Sequence, residues 1–158
     1  MPRPMDAAND PTVWQNFYVM MGTANAALTG LVFVALSIHL QAVLDHPSLR
    51  PRATLALVIL TTQIVIAAIV LTPQPRELMG AEIVVLNVVF IGLNLRSRQA
   101  IAFRAGTLLT FLIRASYSYA AISLILGVGG GFYVLAAVLV LTLARTMSTC
   151  WTLLTAID

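Results

Sequence analysis

Five long apolar runs separated by short polar breaks set the plan of this chain. The first extends from about Trp14 to Leu44, the second from Ala53 to Leu71 and the third from Leu78 to Leu95. A fourth covers about Gly106–Leu126 and a fifth runs from Phe132 to about Thr155. Each is about as long as, or longer than, the ~20 residues an α-helix needs to cross a bilayer. Each lacks the strict alternation of a half-buried strand. The breaks carry turn chemistry: Asp45–Pro51 holds two prolines, and Thr72-Pro73-Gln74-Pro75-Arg76-Glu77 is a second turn. Gly127-Val128-Gly129-Gly130-Gly131 joins the last two runs into a hairpin.

The pattern predicts an all-α integral membrane bundle of five transmembrane helices in one domain, preceded by a polar tail over Met1–Pro11. A four-helix alternative makes Gln99–Arg114 an interfacial helix and Ala115–Ala144 one long span. It ranks lower, because four glycines in five residues would sit in mid-helix at up to ~1 kcal/mol each relative to Ala. The first run, at 31 residues, exceeds one crossing and predicts a tilted or projecting helix. The tail lacks the basic n-region of a signal peptide, and the run after it is too long for one.

Composition agrees with the pattern. Of 158 residues, 59% are hydrophobic and only 9% charged, whereas a soluble domain carries about 25%. All seven prolines lie at or before Pro75, which keeps the later helices uninterrupted. All nine basic residues are arginine, and the formal charge of +3 is too small and scattered for nucleic-acid binding. The lone Cys150 permits neither an intrachain disulfide nor a Cys-based metal site.

Charge also predicts the threading. Arg50, Arg52, Arg96, Arg98, Arg104 and Arg145 fall toward one side, whereas Arg3 and Arg76 share the other with Asp6, Asp10, Glu77 and Glu82. The arginine-rich side is expected to be cytoplasmic, giving an N-out, C-in protein of the cell inner membrane.

Two sets of small residues predict close helix packing. Gly22, Ala26 and Gly30 recur every fourth residue on the first helix, and Ser116, Ala120, Ser123 and Gly127 form a similar face on the fourth. Each face packs this chain together or forms a subunit interface.

Polar residues inside the apolar runs are the candidate functional groups. Asn25, Gln63 and Asn87 are predicted near mid-bilayer, with Thr61 and Thr62 beside Gln63. Asn94 lies two turns beyond Asn87, on the face that also carries Gly80. Buried amides in lipid need partners, so they form either an interhelical hydrogen-bond cluster or a polar lining. Arg114 and Arg145 stand thirteen residues before and fourteen after the glycine turn, about 20 Å from it at 1.5 Å per residue. They either snorkel to headgroups or build a positive vestibule or lipid-phosphate pocket. Asp45, Asp158 and Glu82 are the acids that could pair with them, and Glu82, expected on the outer side, is the poorest candidate.

Catalytic signatures are absent: there is no GxGxxG, Walker A, HExxH or GxSxG. His39 and His46 would share a helical face only if the first helix passed Leu44, which Pro47 opposes. No cofactor and no metal is expected, and the chain is not expected to be an enzyme. The start Trp14-Gln15-Asn16-Phe17-Tyr18, the run Ala27 to Ser37 and Gly130-Gly131-Phe132-Tyr133 resemble small multi-pass membrane proteins of bacteria. That resemblance implies no activity. The expected partners are the lipid bilayer and either copies of the chain or other membrane subunits. The expected role is an oligomeric pore or transport path for small ions or solutes. The alternative is a non-catalytic accessory subunit of a larger membrane complex.

Overall fold

The computed structural model describes residues 10–45, 49–96 and 107–155, and for 42–44, 93–96, 107–110 and 153–155 it describes the backbone alone. Asp6, His46, Pro47, Arg98, Arg104 and Asp158, which entered the reading of charge and ligands, lie outside the described residues.

The described chain is all-helical. Five long helices are α1 (Pro11–Ile38), α3 (Leu49–Leu71), α4 (Arg76–Arg96), α5 (Thr107–Leu126) and α6 (Gly131–Thr155), and α2 (Leu40–Asp45) is a short helix after α1. Three stretches are long and apolar enough to cross a membrane: Pro11–Ile38, Leu49–Leu71 and Gly131–Thr152.

Local chemistry explains the boundaries, including those that the apolar runs misplace. The polar tail was expected to extend to Pro11 and the helix to open at Trp14. Instead α1 starts at Pro11, because Asp10 caps it. The Thr12 amide and hydroxyl donate to Asp10 Oδ1 at 2.9 and 2.7 Å, and proline suits the first helical position. The single helix predicted to Leu44 breaks at His39 and resumes as α2. The α3 helix begins four residues earlier than expected, at Leu49, with Pro51 in the first turn where an amide has no intrahelical acceptor.

The glycine turn excludes the four-helix alternative. Gly127, Gly129 and Gly130 all have positive φ, at 69°, 88° and 66°. The Val128 amide donates back to the Ser123 carbonyl at 3.2 Å, closing α5 with a left-handed cap at Gly127. The Ser123 hydroxyl donates to the Val128 carbonyl. A straight helix from Ala115 to Ala144 is incompatible with this backbone.

The chain forms two compact units, Met1–Asn16 with Ile69–Val138, and Phe17–Ala68 with Leu139–Asp158. In the first, α4 lies along α5. A Cβ at Gly80 would stand 2.7 Å from the Ala121 carbonyl oxygen and 2.6 Å from Ile125, so only glycine permits the approach. Across the hairpin, a Cβ at Gly131 would meet the Ala120 carbonyl oxygen at 2.8 Å. The Trp14 ring meets Phe132 at 6.3 Å and the edge of Tyr133 at 4.7 Å.

In the second unit α1 pairs with α3. A Cβ at Gly22 would lie 3.3 Å from Ala67 Cβ, and Leu36 packs against Leu49 and Ala53. Fourteen residues forward along α1 (22 to 36) correspond to fourteen backward along α3 (67 to 53), so the pair is antiparallel and in register.

Apolar side chains such as Tyr18, Leu60, Ile83, Leu124 and Leu139 fill the interior, and apolar side chains also cover the outside. Large apolar side chains face outward on every long helix, among them Phe33 at 64%, Val88 at 62%, Phe111 at 70% and Trp151 at 69% exposure. Asn25, Gln63, Asn87, Thr142 and Thr146 are buried. That distribution suits an apolar surrounding.

Candidate functional site

Two polar clusters stand out, one in each unit. The first is built on the α4–α5 seam. Gly80 lets the two helices approach closely, and Asn87, two turns further along α4, also meets α5. Asn87 is buried and bonded on both sides of its amide. Its Nδ2 donates to Ser118 Oγ at 2.9 Å and, more weakly, to the Arg114 carbonyl at 3.4 Å. Its Oδ1 accepts from Arg114 Nη1 at 3.1 Å. The guanidinium carbon lies 3.5 Å from the centre of the Phe90 ring, one turn along α4 from Asn87. Arg114 is therefore half-buried and fixed from two directions. Among the described residues the one ion pair is Arg76–Glu77, at 3.1 Å on the surface. No carboxylate neutralises Arg114 there.

The second cluster lies in the α1–α3 seam. Asn25 is fully buried and Gln63 is 1% exposed. The register that sets Gly22 against Ala67 brings Asn25 and Gln63 to the same level of the helix pair. Asn25 Nδ2 donates to the Met21 carbonyl at 2.7 Å within its own helix. Its Oδ1, and both amide atoms of Gln63, are buried without a hydrogen-bond partner. Leaving such an atom unpaired costs about 1–3 kcal/mol. An average interhelical hydrogen bond in a membrane protein contributes only about 0.6 kcal/mol. Two leucines at these positions would leave no unpaired polar atom in the seam.

The other anticipated residues separate. Arg145 was paired with Arg114 by its distance from the glycine turn, but it is exposed, and its backbone carbonyl accepts from the Thr149 hydroxyl at 3.0 Å. The two arginines thus differ in kind. Asn94 is on α4, but its side chain lies outside the described residues. On α1 the small-residue face divides. Gly22 packs on Ala67, whereas Ala26 and Gly30 are exposed, and a Cβ at Gly30 would have nothing within 4 Å. The α5 face is used internally: Ala120 and Ser123 are buried, and Ser116 donates to the Leu112 carbonyl of its own helix at 2.8 Å.

Sequence reasoning missed Phe90, whose place one turn from Asn87 was the available signal. It also missed Gln74, whose Nε2 donates to Glu82 Oε2 at 2.8 Å and to the Ile69 carbonyl at 3.2 Å. That contact occupies Glu82, an acid weighed as a partner for the arginines. Asp45, a second such acid, is exposed at the end of α2. His39 is exposed at the break after α1. Among the described residues no group of three or more His, Cys, Asp or Glu could hold a metal ion. No family model, curated protein or solved structure matches the chain.

Proposed function

We propose that this chain is a multi-pass protein of the cell inner membrane that lines a path for small ions or solutes and assembles with copies of itself. The observation that carries this reading is the orphaned amide pair Asn25–Gln63. Three buried polar atoms in apolar helices, placed at one level, need a hydrogen-bonding guest. Water or a small solute passing through the α1–α3 seam supplies it, since a hydrated site needs two to four polar partners. Outward-facing Leu31, Phe33, Val34 and Ile38 on α1 fit a lipid contact. The N-out, C-in threading rests on the arginine distribution, with Arg50 and Arg52 exposed at the start of α3.

The test is flux from liposomes containing the purified full chain. Wild type is expected to pass small ions or solutes under a gradient or a membrane potential, and Gln63→Leu is expected to stop this while assembly persists. Protein that passes neither under any gradient refutes the proposal. Cysteines placed at exposed Thr12 and Thr54 are expected to react with impermeant reagent from opposite sides.

A second reading, an accessory subunit of a larger membrane complex, is favoured by one observation. The α1 helix is the least buried of the three long apolar ones, and its exposed positions include Ala26 and Gly30. Small residues on such a face admit another helix closely. Crosslinking through α1 in native membranes distinguishes the two: only copies of this chain favours the first reading, and a different polypeptide favours the second.

A further inference from the structure

We propose that Arg114, held by Asn87 and Phe90, is the receptor for a phosphate oxyanion. The assignment rests on the α4–α5 seam and does not depend on a transport path through α1 and α3.

A guanidinium carries five N–H donors in a planar fork. Among the described residues one nitrogen of Arg114, Nη1, donates to the protein, at 3.1 Å to Asn87 Oδ1. The Phe90 ring under the guanidinium carbon, at 3.5 Å, takes up one face of the plane. What remains is the fork edge of Nε and Nη2, on a half-buried side chain. Asn87 has no further capacity to rearrange, since its Nδ2 already donates to Ser118 Oγ at 2.9 Å. The cation is thus pre-oriented before any ligand arrives, which removes much of the ordering entropy of binding.

The charge balance points the same way. A cation within an apolar helix is costly to hold in a membrane, and the aromatic contact offsets only part of that cost. The neutral Asn87 contributes a hydrogen bond but no counter-charge. An anion completes the site. A planar fork matches two oxygens of one phosphate or carboxylate group, and it has no such match to a spherical halide. Phosphate can come from a lipid headgroup or from solution, and both present the same pair of oxygens.

Arg145 is the internal control. It is equally charged and lies on an apolar helix, but it is exposed, with neither an amide nor a ring fixing it among the described residues.

The experiment is equilibrium binding to the full-length protein in nanodiscs, read by phosphorus NMR. One arm titrates inorganic phosphate into neutral phosphatidylcholine discs. The other varies the fraction of phosphatidylglycerol in the disc. Saturable binding is expected in at least one arm, and which arm shows it identifies the source. Arg114→Lys keeps the charge but loses the fork, and is expected to weaken binding at least tenfold. Asn87→Ala is expected to weaken it several-fold by releasing the guanidinium. Arg145→Lys is expected to change nothing, and chloride is expected not to compete at equal ionic strength. Circular dichroism and thermal unfolding confirm that each variant is folded; if Arg114→Lys is not, Arg114→Gln takes its place. Absence of saturable binding in both arms overturns the assignment. So does equal binding by folded wild type and Arg114→Lys, or equal weakening by Arg145→Lys.

Discussion

Arg114 and Asn87 are locked together across two helices: Nη1 donates to Oδ1 at 3.1 Å while Asn87 Nδ2 reaches back to the Arg114 carbonyl at 3.4 Å. The pair ties the side chain of one residue to the backbone of the helix that presents the other. Removing Asn87 therefore strips the cation of its hydrogen bond and leaves Ser118 without its donor. We expect Asn87→Leu to destabilise the protein by about 1–3 kcal/mol, the cost of an unsatisfied buried group. A double-mutant cycle with Arg114→Leu should give a coupling of at least about 0.5 kcal/mol. Thermal or denaturant unfolding in detergent measures both. Strictly additive single variants would mean that the contact contributes nothing.

Gly80 on α4 and Gly30 on α1 should respond oppositely to an added side chain. Gly80 faces the Ala121 carbonyl, where a Cβ would lie at 2.7 Å, and backbone cannot retreat as a side-chain tip can. Gly80→Ala should cost about 1–3 kcal/mol through overpacking. At Gly30 a Cβ meets nothing within 4 Å. Gly30→Ala should leave folding unchanged or gain up to about 1 kcal/mol of helix propensity. If the exposed face of α1 is a contact between copies, the bulkier Gly30→Leu should reduce association without unfolding the chain. Analytical ultracentrifugation beside thermal unfolding separates the two effects. A Gly80→Ala protein as stable as wild type would show that α4 and α5 slide apart freely.

Hydropathy made the helices legible, and glycine chemistry made the last turn legible. Both are local: a run of twenty apolar residues or four glycines in five needs no knowledge of the rest of the fold. The start of α1 was missed for an equally local reason, since Asp10 and Pro11 lie outside the apolar run yet begin the helix. The Asn87–Arg114 contact was not readable, although both residues were singled out. It spans 27 residues and depends on the rotation of α4 against α5, which Gly80 fixes. The direction of Arg145 was hidden too. A helix apolar on every side carries no stripe from which its inward face can be read. Buried and exposed positions on α6 therefore look alike in sequence.

The cap of α1 should be sensitive to acid. Hydrogen bonds from the Thr12 hydroxyl, and then from the Thr12 amide, hold the Asp10 carboxyl below its ordinary value. A carboxyl depressed in the folded state contributes stability above its unfolded value of about 3.9, and loses it as pH falls through the folded value. Amide exchange at Thr12 and Val13 should therefore lose protection below about pH 4. Asp10→Asn caps a helix as well but does not titrate, so its protection should stay level over the same range. Identical profiles for the two proteins would place the acid sensitivity elsewhere.

Gln63 offers the sharpest contrast between stability and function. Both of its amide atoms are buried without a partner, and the residue is 1% exposed. Leucine has nearly the same volume and no polar atoms, so Gln63→Leu removes two orphaned groups and adds none. We expect it to raise stability by about 1–3 kcal/mol, opposite in sign to Asn87→Leu. The same substitution should abolish flux if the α1–α3 seam conducts, a trade-off common where a functional group is retained at the expense of packing. Asn25→Leu should act similarly but gain less, because Asn25 Nδ2 already donates to the Met21 carbonyl at 2.7 Å. Unfolding and flux measured on one preparation decide the matter. Stability gained with flux intact would remove the amides from the conducting path. Stability lost would reveal that Gln63 is bonded in the membrane, and that the seam is a structural contact.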